Sequence, residues 1–391
     1  MLLKNLKVAG LLSFGPDGMD LPLRALNVFI GPNGSGKSNF LEILALLKAA
    51  PRALPEPVKE MGGVREWLWK GSGGSGEATI EALIDNPKGK MDLRHFLAIR
   101  ENGGRFEVVD ERIENGQPYP GTVQPFFHYN FRRGHPMLKE RIEPHGEQDR
   151  SLQPQQILPE ESILSQVKDP DRYPALTYLQ ENYAEMRLFR NWSLGPGAAL
   201  RKEQSATGRN DFLVDGGENL ALVLSKIKAH VKKELRAGLE QLYEGVIDLD
   251  LVVSEGSVQL FLEEEGGRQI PATRLSDGSL RYLCLLAILL HPTPPPVVAI
   301  EEPELGLHPD VLPYVGELLS TASQRTQLFV TTHSQIIVDA LGEQAESVIV
   351  CERTDGVSRF QRLNQDHLKE WLEKFSLGQL WSKGEIGGNR W

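Results

Sequence analysis

The stretch Gly31-Pro32-Asn33-Gly34-Ser35-Gly36-Lys37-Ser38 decides how this sequence is read. It fits the pattern G-x-x-x-x-G-K-[ST] of a phosphate-cradling loop. The apolar run Leu26 to Ile30 before it reads as a buried strand. Phe40 to Lys48 after it reads as a helix, with Leu41, Ile43, Leu44, Leu46 and Leu47 on it. Glycines let such a loop turn tightly, so that its N–H groups converge on phosphate oxygens. The helix N-terminus adds partial positive charge at the same place. Lys37 is the residue expected to reach the β- and γ-phosphates, and the Ser38 hydroxyl to hold Mg²⁺.

The chain has 391 residues, enough for one large or two ordinary domains with a substantial core. Its 40% hydrophobic and 25% charged content is that of a soluble globular protein. A net charge of -10 excludes a generally basic nucleic-acid coat, though not a local basic patch. Cys284 and Cys351 are far apart, lie in apolar stretches and form no metal-type pair, which suits buried thiols in a reducing compartment. No run reaches the length of a membrane span, and no secretory core follows the lysine-broken start. A cytoplasmic protein is expected.

Working outward from the loop, Leu6 to Phe14 and Leu21 to Ile30 read as strands. Ala78 to Ile84, Leu93 to Arg100 and Arg105 to Ile113 read as an antiparallel layer, with a hairpin turn at Asn102-Gly103-Gly104 and a further strand at Val123 to Tyr129. From about Arg132 the composition turns polar, with a helix expected at Tyr173 to Phe189 and a loop at Ser193 to Asn210. One continuous helix is expected from Leu220 to Leu242, on its apolar stripe at steps of three or four. Val246 to Val253 and Val258 to Glu263 read as a hairpin. The division expected is 1–131 as the first part of a head built on this phosphate loop, 132–245 as a mainly helical insertion, and 246–391 as the rest of the head.

Three further motifs follow. Val297 to Ile300 is a hydrophobic strand ending in Glu301-Glu302-Pro303, the Walker B arrangement. Glu301 would hold Mg²⁺ through water, and Glu302 would act as general base on the attacking water. Leu275-Ser276-Asp277-Gly278-Ser279 precedes an apolar helix and by itself resembles an ordinary helix cap. Val330-Thr331-Thr332-His333-Ser334 ends a strand in a histidine that should lie beside the two acids.

As a set these motifs resemble ATP-binding-cassette ATPases of the branch containing SMC heads, RecF and OLD-type ATPases, an AAA-type group that includes predicted ATPases of bacterial defence and repair loci. Gly31 to Asn39 matches that branch's P-loop, Leu275 to Ser279 resembles its signature, Leu305-Gly306-Leu307-His308-Pro309 its D-loop, and His333 its switch histidine. Asp277 stands where many members have Gly, and helix capping is the role expected for it. The resemblance implies an α/β P-loop NTPase of ABC-ATPase head type, with an antiparallel β layer and an inserted mainly helical region.

The resemblance also implies that Asn33, Gly34, Ser35, Gly36, Lys37, Ser38 and Asn39 bind ATP. Ser276 and Gly278 would complete a partner's pocket, with Glu302, His333 and Lys37 catalytic and Ser38 and Glu301 on Mg²⁺. The expected assembly is an ATP-linked homodimer, or a higher oligomer, driving antiviral defence or DNA repair with a separate effector such as a nuclease or toxin. Gln124 is the candidate glutamine-loop residue. Two alternatives are the ATPase subunit of a membrane transporter and a nucleotide-gated scaffold that does not itself bind DNA. No nuclease activity is expected of this chain, since Asp248-Leu249-Asp250 reads as a hairpin edge. DNA contacts are expected through Lys226, Lys228, Lys232, Lys233 and Arg236, with a second basic cluster at Arg132, Arg133, Lys139 and Arg141.

Overall fold

The computed structural model describes residues 1–132, 134–142, 146–153 and 157–388. The chain forms two compact units, both assembled from separated segments. The first contains Met1–Arg24, Gly31–Met186 and Cys351–Gln361; the second contains Ala25–Ile30, Arg187–Val350 and Arg362–Trp391.

The first unit is built on an antiparallel sheet of eight strands. In spatial order these are Met19–Pro22, Leu3–Ala9, Glu77–Ile84, Leu93–Asn102, Arg105–Asn115, Phe127–Arg132, His135–Ile142 and Gly146–Ser151. Glu77–Ile84 alternates between buried and more accessible positions, the period-two signature of a strand with one covered face. The helix Lys37–Ala49 packs against the helix Pro174–Glu185. A buried polar cluster ties the sheet to the segment that leads into that second helix. His95 lies 3.2 Å from both Glu111 Oε1 and the Tyr183 hydroxyl. Glu111 also accepts the Ser162 hydroxyl at 2.5 Å and the Ile163 N–H at 2.9 Å. None of His95, Glu111, Ser162 or Tyr183 is more than 1% exposed.

The second unit carries a parallel sheet in the order Arg187–Phe189, Val297–Glu301, Gln327–Thr331, Leu26–Ile30, then the Val348–Thr354 strand paired through Val350. Leu26–Ile30 and Gln327–Thr331 are buried at every position, as strands covered on both faces must be. Their apolar side chains join those of the helices Leu220–His230, Asp277–Leu289 and Leu312–Ala322 in one core. A hairpin of Val246–Ser254 and Ser257–Glu264 pairs with short strands at Gln204–Ser205 and Arg268–Pro271.

Several expectations change here. Residues 132–245 do not form one mainly helical insertion: the portion up to Met186 belongs to the first unit and the remainder to the second. The portion in the first unit contributes the strands His135–Ile142 and Gly146–Ser151 to the antiparallel sheet. The helix expected over Tyr173 to Phe189 stops at Glu185, and Arg187–Phe189 becomes the strand flanking the one with the paired acids. The loop expected over Ser193 to Asn210 holds a 3₁₀ turn, Ala199–Arg201, and the strand Gln204–Ser205. The helix expected over Leu220 to Leu242 is two, Leu220–His230 and Lys232–Glu240, because Val231 has φ -127 and ψ 45. The apolar period survives across Val231 while the helix breaks there.

Candidate functional site

In the first unit, the helix Lys37–Ala49 starts after Gly36, which has φ 102. A Cβ built on Gly36 would lie 2.2 Å from Ser358 Oγ and 2.8 Å from Ser13 Oγ, so only glycine lets the loop pass these serines. Gly31 is held as closely, with a virtual Cβ 2.1 Å from the Cys351 carbonyl oxygen. Behind the loop, Ser358 donates to Ser13 Oγ at 2.7 Å, as does the Asn39 amide. Asn39 therefore braces the loop through Ser13. Phe360 packs against both Phe14 and Phe40. Lys37 folds back over the loop and donates to the carbonyls of Gly31 at 2.7 Å and Pro32 at 3.1 Å. Ser35 Oγ is buried without a hydrogen-bond partner among the described residues. Asn33, Gly34 and Ser38 are exposed. This is a cradle with an ammonium at its mouth and N–H groups at a helix start, a fit for a polyphosphate.

In the second unit, three strand ends lie level. Glu301 is in register with Thr331, and Thr331 with Phe29. The Thr332 N–H donates to Phe29 O at 3.1 Å, which fixes the start of the His333 turn beside the strand that leads in the chain to Gly31. Glu302 has φ 46, a left-handed conformation that is costly for a residue with a Cβ. Its N–H donates to Thr331 O at 3.0 Å, and its carbonyl accepts from Arg281 at 3.1 Å. Arg281 is itself buried and lies 5.8 Å from the Trp192 ring centroid. Burial lowers its pKa from the ordinary arginine value.

This backbone turn directs the Glu302 carboxylate to 3.5 Å from His333 Nε2, with both side chains about one-third exposed, 31% and 37%. A carboxylate reachable by water and next to an imidazole can take and pass a proton. Glu304 anchors the same turn, accepting the His333 N–H at 2.6 Å. Burial pushes the Glu304 carboxyl above its usual range.

Glu301 is paired. Arg190 Nε–H donates to its Oε2 at 3.0 Å. The strand register Phe189↔Ile300 brings these two residues side by side. Nothing in the sequence marked Arg190, which sits one residue past a strand too short to show a period. Arg201 was equally unmarked. It is 6% exposed, and it donates to Leu194 O and Leu275 O at 2.6 Å each and to the Asp277 carboxylate.

That pairing corrects the role expected of Asp277. Ser276 caps the helix Asp277–Leu289, accepting the Ser279 N–H at 3.0 Å, while Asp277 turns to Arg201. A buried guanidinium thus neutralises the carboxylate of this turn. Ser276 is exposed, and Gly278 packs so closely on the Gly306 carbonyl that a virtual Cβ would lie 2.3 Å from it.

The other expected contacts are scattered. Gln124 is exposed in the loop before the antiparallel strand Phe127–Arg132. Lys228 is committed to Asp248 at 2.9 Å and Leu249 O at 2.5 Å, and Arg236 to Glu240 at 3.1 Å. Lys232 and Lys233 are exposed and Lys226 half-buried, on two helices. Asp250 accepts from Gln269 at 2.9 Å. In the second cluster, Lys139 pairs with Asp149 and Arg132 lies 3.6 Å from Asp110. Arg133, the Arg141 side chain and the tail residues Asn389 to Trp391 lie outside the described residues. No helix among the described residues is long and apolar enough to cross a membrane.

Comparison with known proteins bears on the family and the fold. Residues 26–339 match the family described as "AAA domain, putative AbiEii toxin, Type IV TA system". Among solved structures, an Smc head bound to the C-winged helix domain of ScpA superposes with a TM-score of 0.57 at 16% identity, covering 93% of this chain and 99% of that one. The Smc head with an extended coiled coil from Pyrococcus furiosus, bound to the C-terminal domain of ScpA, gives 0.55 at 15% identity, covering 95% and 98%. The Smc head with coiled coil and joint from Pyrococcus yayanosii gives 0.51 at 13%, covering 95% and 99%. At these identities the likeness is one of fold: an α/β P-loop head of the ABC-ATPase type. No curated protein matches the chain.

Proposed function

The chain belongs to the AbiEii-type AAA family, and from that premise we propose that it is a magnesium-dependent ATPase whose two copies close head to tail on bound ATP. The observation that carries this reading is the edge of the parallel sheet. There Glu301, Glu302 and His333 stand together, and the adjacent strand runs in the chain directly into Gly31. The hydroxyl of Ser38 and the carboxylate of Glu301 are the hard oxygen donors that Mg²⁺ takes. Held by Ser38 and Glu301, Mg²⁺ would supply positive charge to offset that of the phosphates.

The chain's own residues do the rest. Lys37 gives up its two carbonyl contacts for phosphate oxygens. The loop N–H groups from Gly34 to Ser38 cradle the phosphates, with Asn39 bracing the loop. Glu302 orients water and takes its proton, and His333 holds the Glu302 carboxylate in place. Ser276 and Gly278 approach the γ-phosphate held by a partner copy, and Arg201 cancels the charge of Asp277 that would otherwise oppose that approach.

In this reading the closed dimer is a switch in DNA-linked defence or repair, working in the cytoplasm with a separate effector. Glu302→Gln tests it. Hydrolysis should fall by about 10²–10⁴-fold, and light scattering with Mg·ATP should show a persistent dimer. Whatever co-purifies with that dimer identifies the effector or nucleic acid. Turnover equal to wild type would remove Glu302 from the base role.

A further inference from the structure

The acid assigned above to the metal already has a cation beside it. Arg190 Nε–H donates to Glu301 Oε2 at 3.0 Å, and the two side chains are only 24% and 18% exposed. The pairing follows from the parallel strands: Phe189 lies opposite Ile300, so the next residue of each strand emerges at the same edge. A guanidinium does not lose its proton in proteins, so it cannot leave this carboxylate by becoming neutral. Its departure leaves a mostly buried carboxylate uncompensated unless another positive charge takes its place. A divalent cation drawing on the same carboxylate has to compete with it.

We propose that Arg190 is the resident counter-ion of Glu301, displaced when Mg²⁺ enters, and that it thereby sets how much Mg²⁺ nucleotide binding requires. This rests on the reading of Glu301 as a metal-side acid. Arg190 is a positioning residue here: it acts through Glu301 and sets an exchange, not a rate.

Titration of Mg²⁺ into protein with a fluorescent, non-hydrolysable ATP analogue tests the exchange without turnover. Arg190→Met should lower the half-saturating Mg²⁺ concentration by about three- to tenfold, the scale of a partly exposed ion pair. Arg190→Lys keeps a charge but loses the planar fork, and should shift in the same direction by less. In a Glu301→Gln background, Arg190→Met should shift nothing. An unchanged or higher Mg²⁺ requirement in Arg190→Met overturns the proposal, since an arginine that only orients Glu301 would weaken metal binding when removed. If Arg190→Met does not fold, an unchanged or higher requirement in Arg190→Lys overturns it equally. A wild-type protein that binds no analogue at any Mg²⁺ concentration would instead bring down the nucleotide reading of the site.

Discussion

Two glutamate–histidine pairs in this molecule have nearly the same separation and opposite surroundings. Glu111 and His95, 3.2 Å apart, are buried, and their polar atoms are shared with Ser162, Ile163 and Tyr183. Glu302 and His333, 3.5 Å apart, are each about one-third exposed, on a backbone turn with positive φ. The first pair has no room for another molecule. The second is held by its backbone while its carboxylate stays within reach of water. Distance between partners does not separate a structural pair from one open to chemistry; accessibility and the way each is held do.

The largest expected effect breaks the comparison directly. Glu111→Ala should cost about 3–5 kcal/mol of stability, because it strips a buried imidazole, a hydroxyl and an N–H of their acceptor. Glu302→Ala should change stability by less than about 1 kcal/mol while abolishing turnover. Chemical denaturation with turnover measured on the folded fraction distinguishes the two, and equal stability losses would end the distinction.

Arg201 lies between these extremes, a buried donor to an exposed carboxylate. Arg201→Ala should cost about 2–3 kcal/mol. It should also weaken ATP-driven dimer formation in light scattering, which Asp277→Gly in the same background would partly restore.

A smaller effect concerns His128, which burial pushes down to about 4. Between pH 6.5 and 4 the unfolded chain takes up a proton that the native chain refuses, so stability falls as pH falls through that window. His128→Phe should remove about 1–2 kcal/mol of that fall, read as a flatter Tm-against-pH curve.

The smallest effect is expected at the surface. Lys232→Glu with Lys233→Glu should move stability by less than about 0.5 kcal/mol. A salt-sensitive DNA affinity left unchanged by this pair would detach these helices from nucleic acid.

What could be read in the sequence was what is local. The loop from Gly31 to Ser38 has its strand and helix on either side within a few residues. The acids at 301 and 302 end a strand whose burial shows as an unbroken apolar run. Much of the antiparallel layer was legible because Ala78 to Ile113 alternates. The strands at His135–Ile142 and Gly146–Ser151 were not, since their charged side chains carry no period. Arg187–Phe189 is three residues long and directly follows a real helix. The site's arginines were invisible for a different reason. Arg190 meets an acid 111 positions away and Arg201 one 76 positions away, and no local pattern encodes a partner at that range.

The near-contact of Gly278 with the Gly306 carbonyl has a consequence for timing. In the head-to-tail pair proposed above, the serine turn would serve the neighbour's nucleotide, while the segment through Gly306 continues from the chain's own acids. With no side chain to cushion them, a shift of one presses on the other. Two pockets so linked would be expected to fire in concert, and a bulkier residue at 278 would desynchronise them before it silenced either.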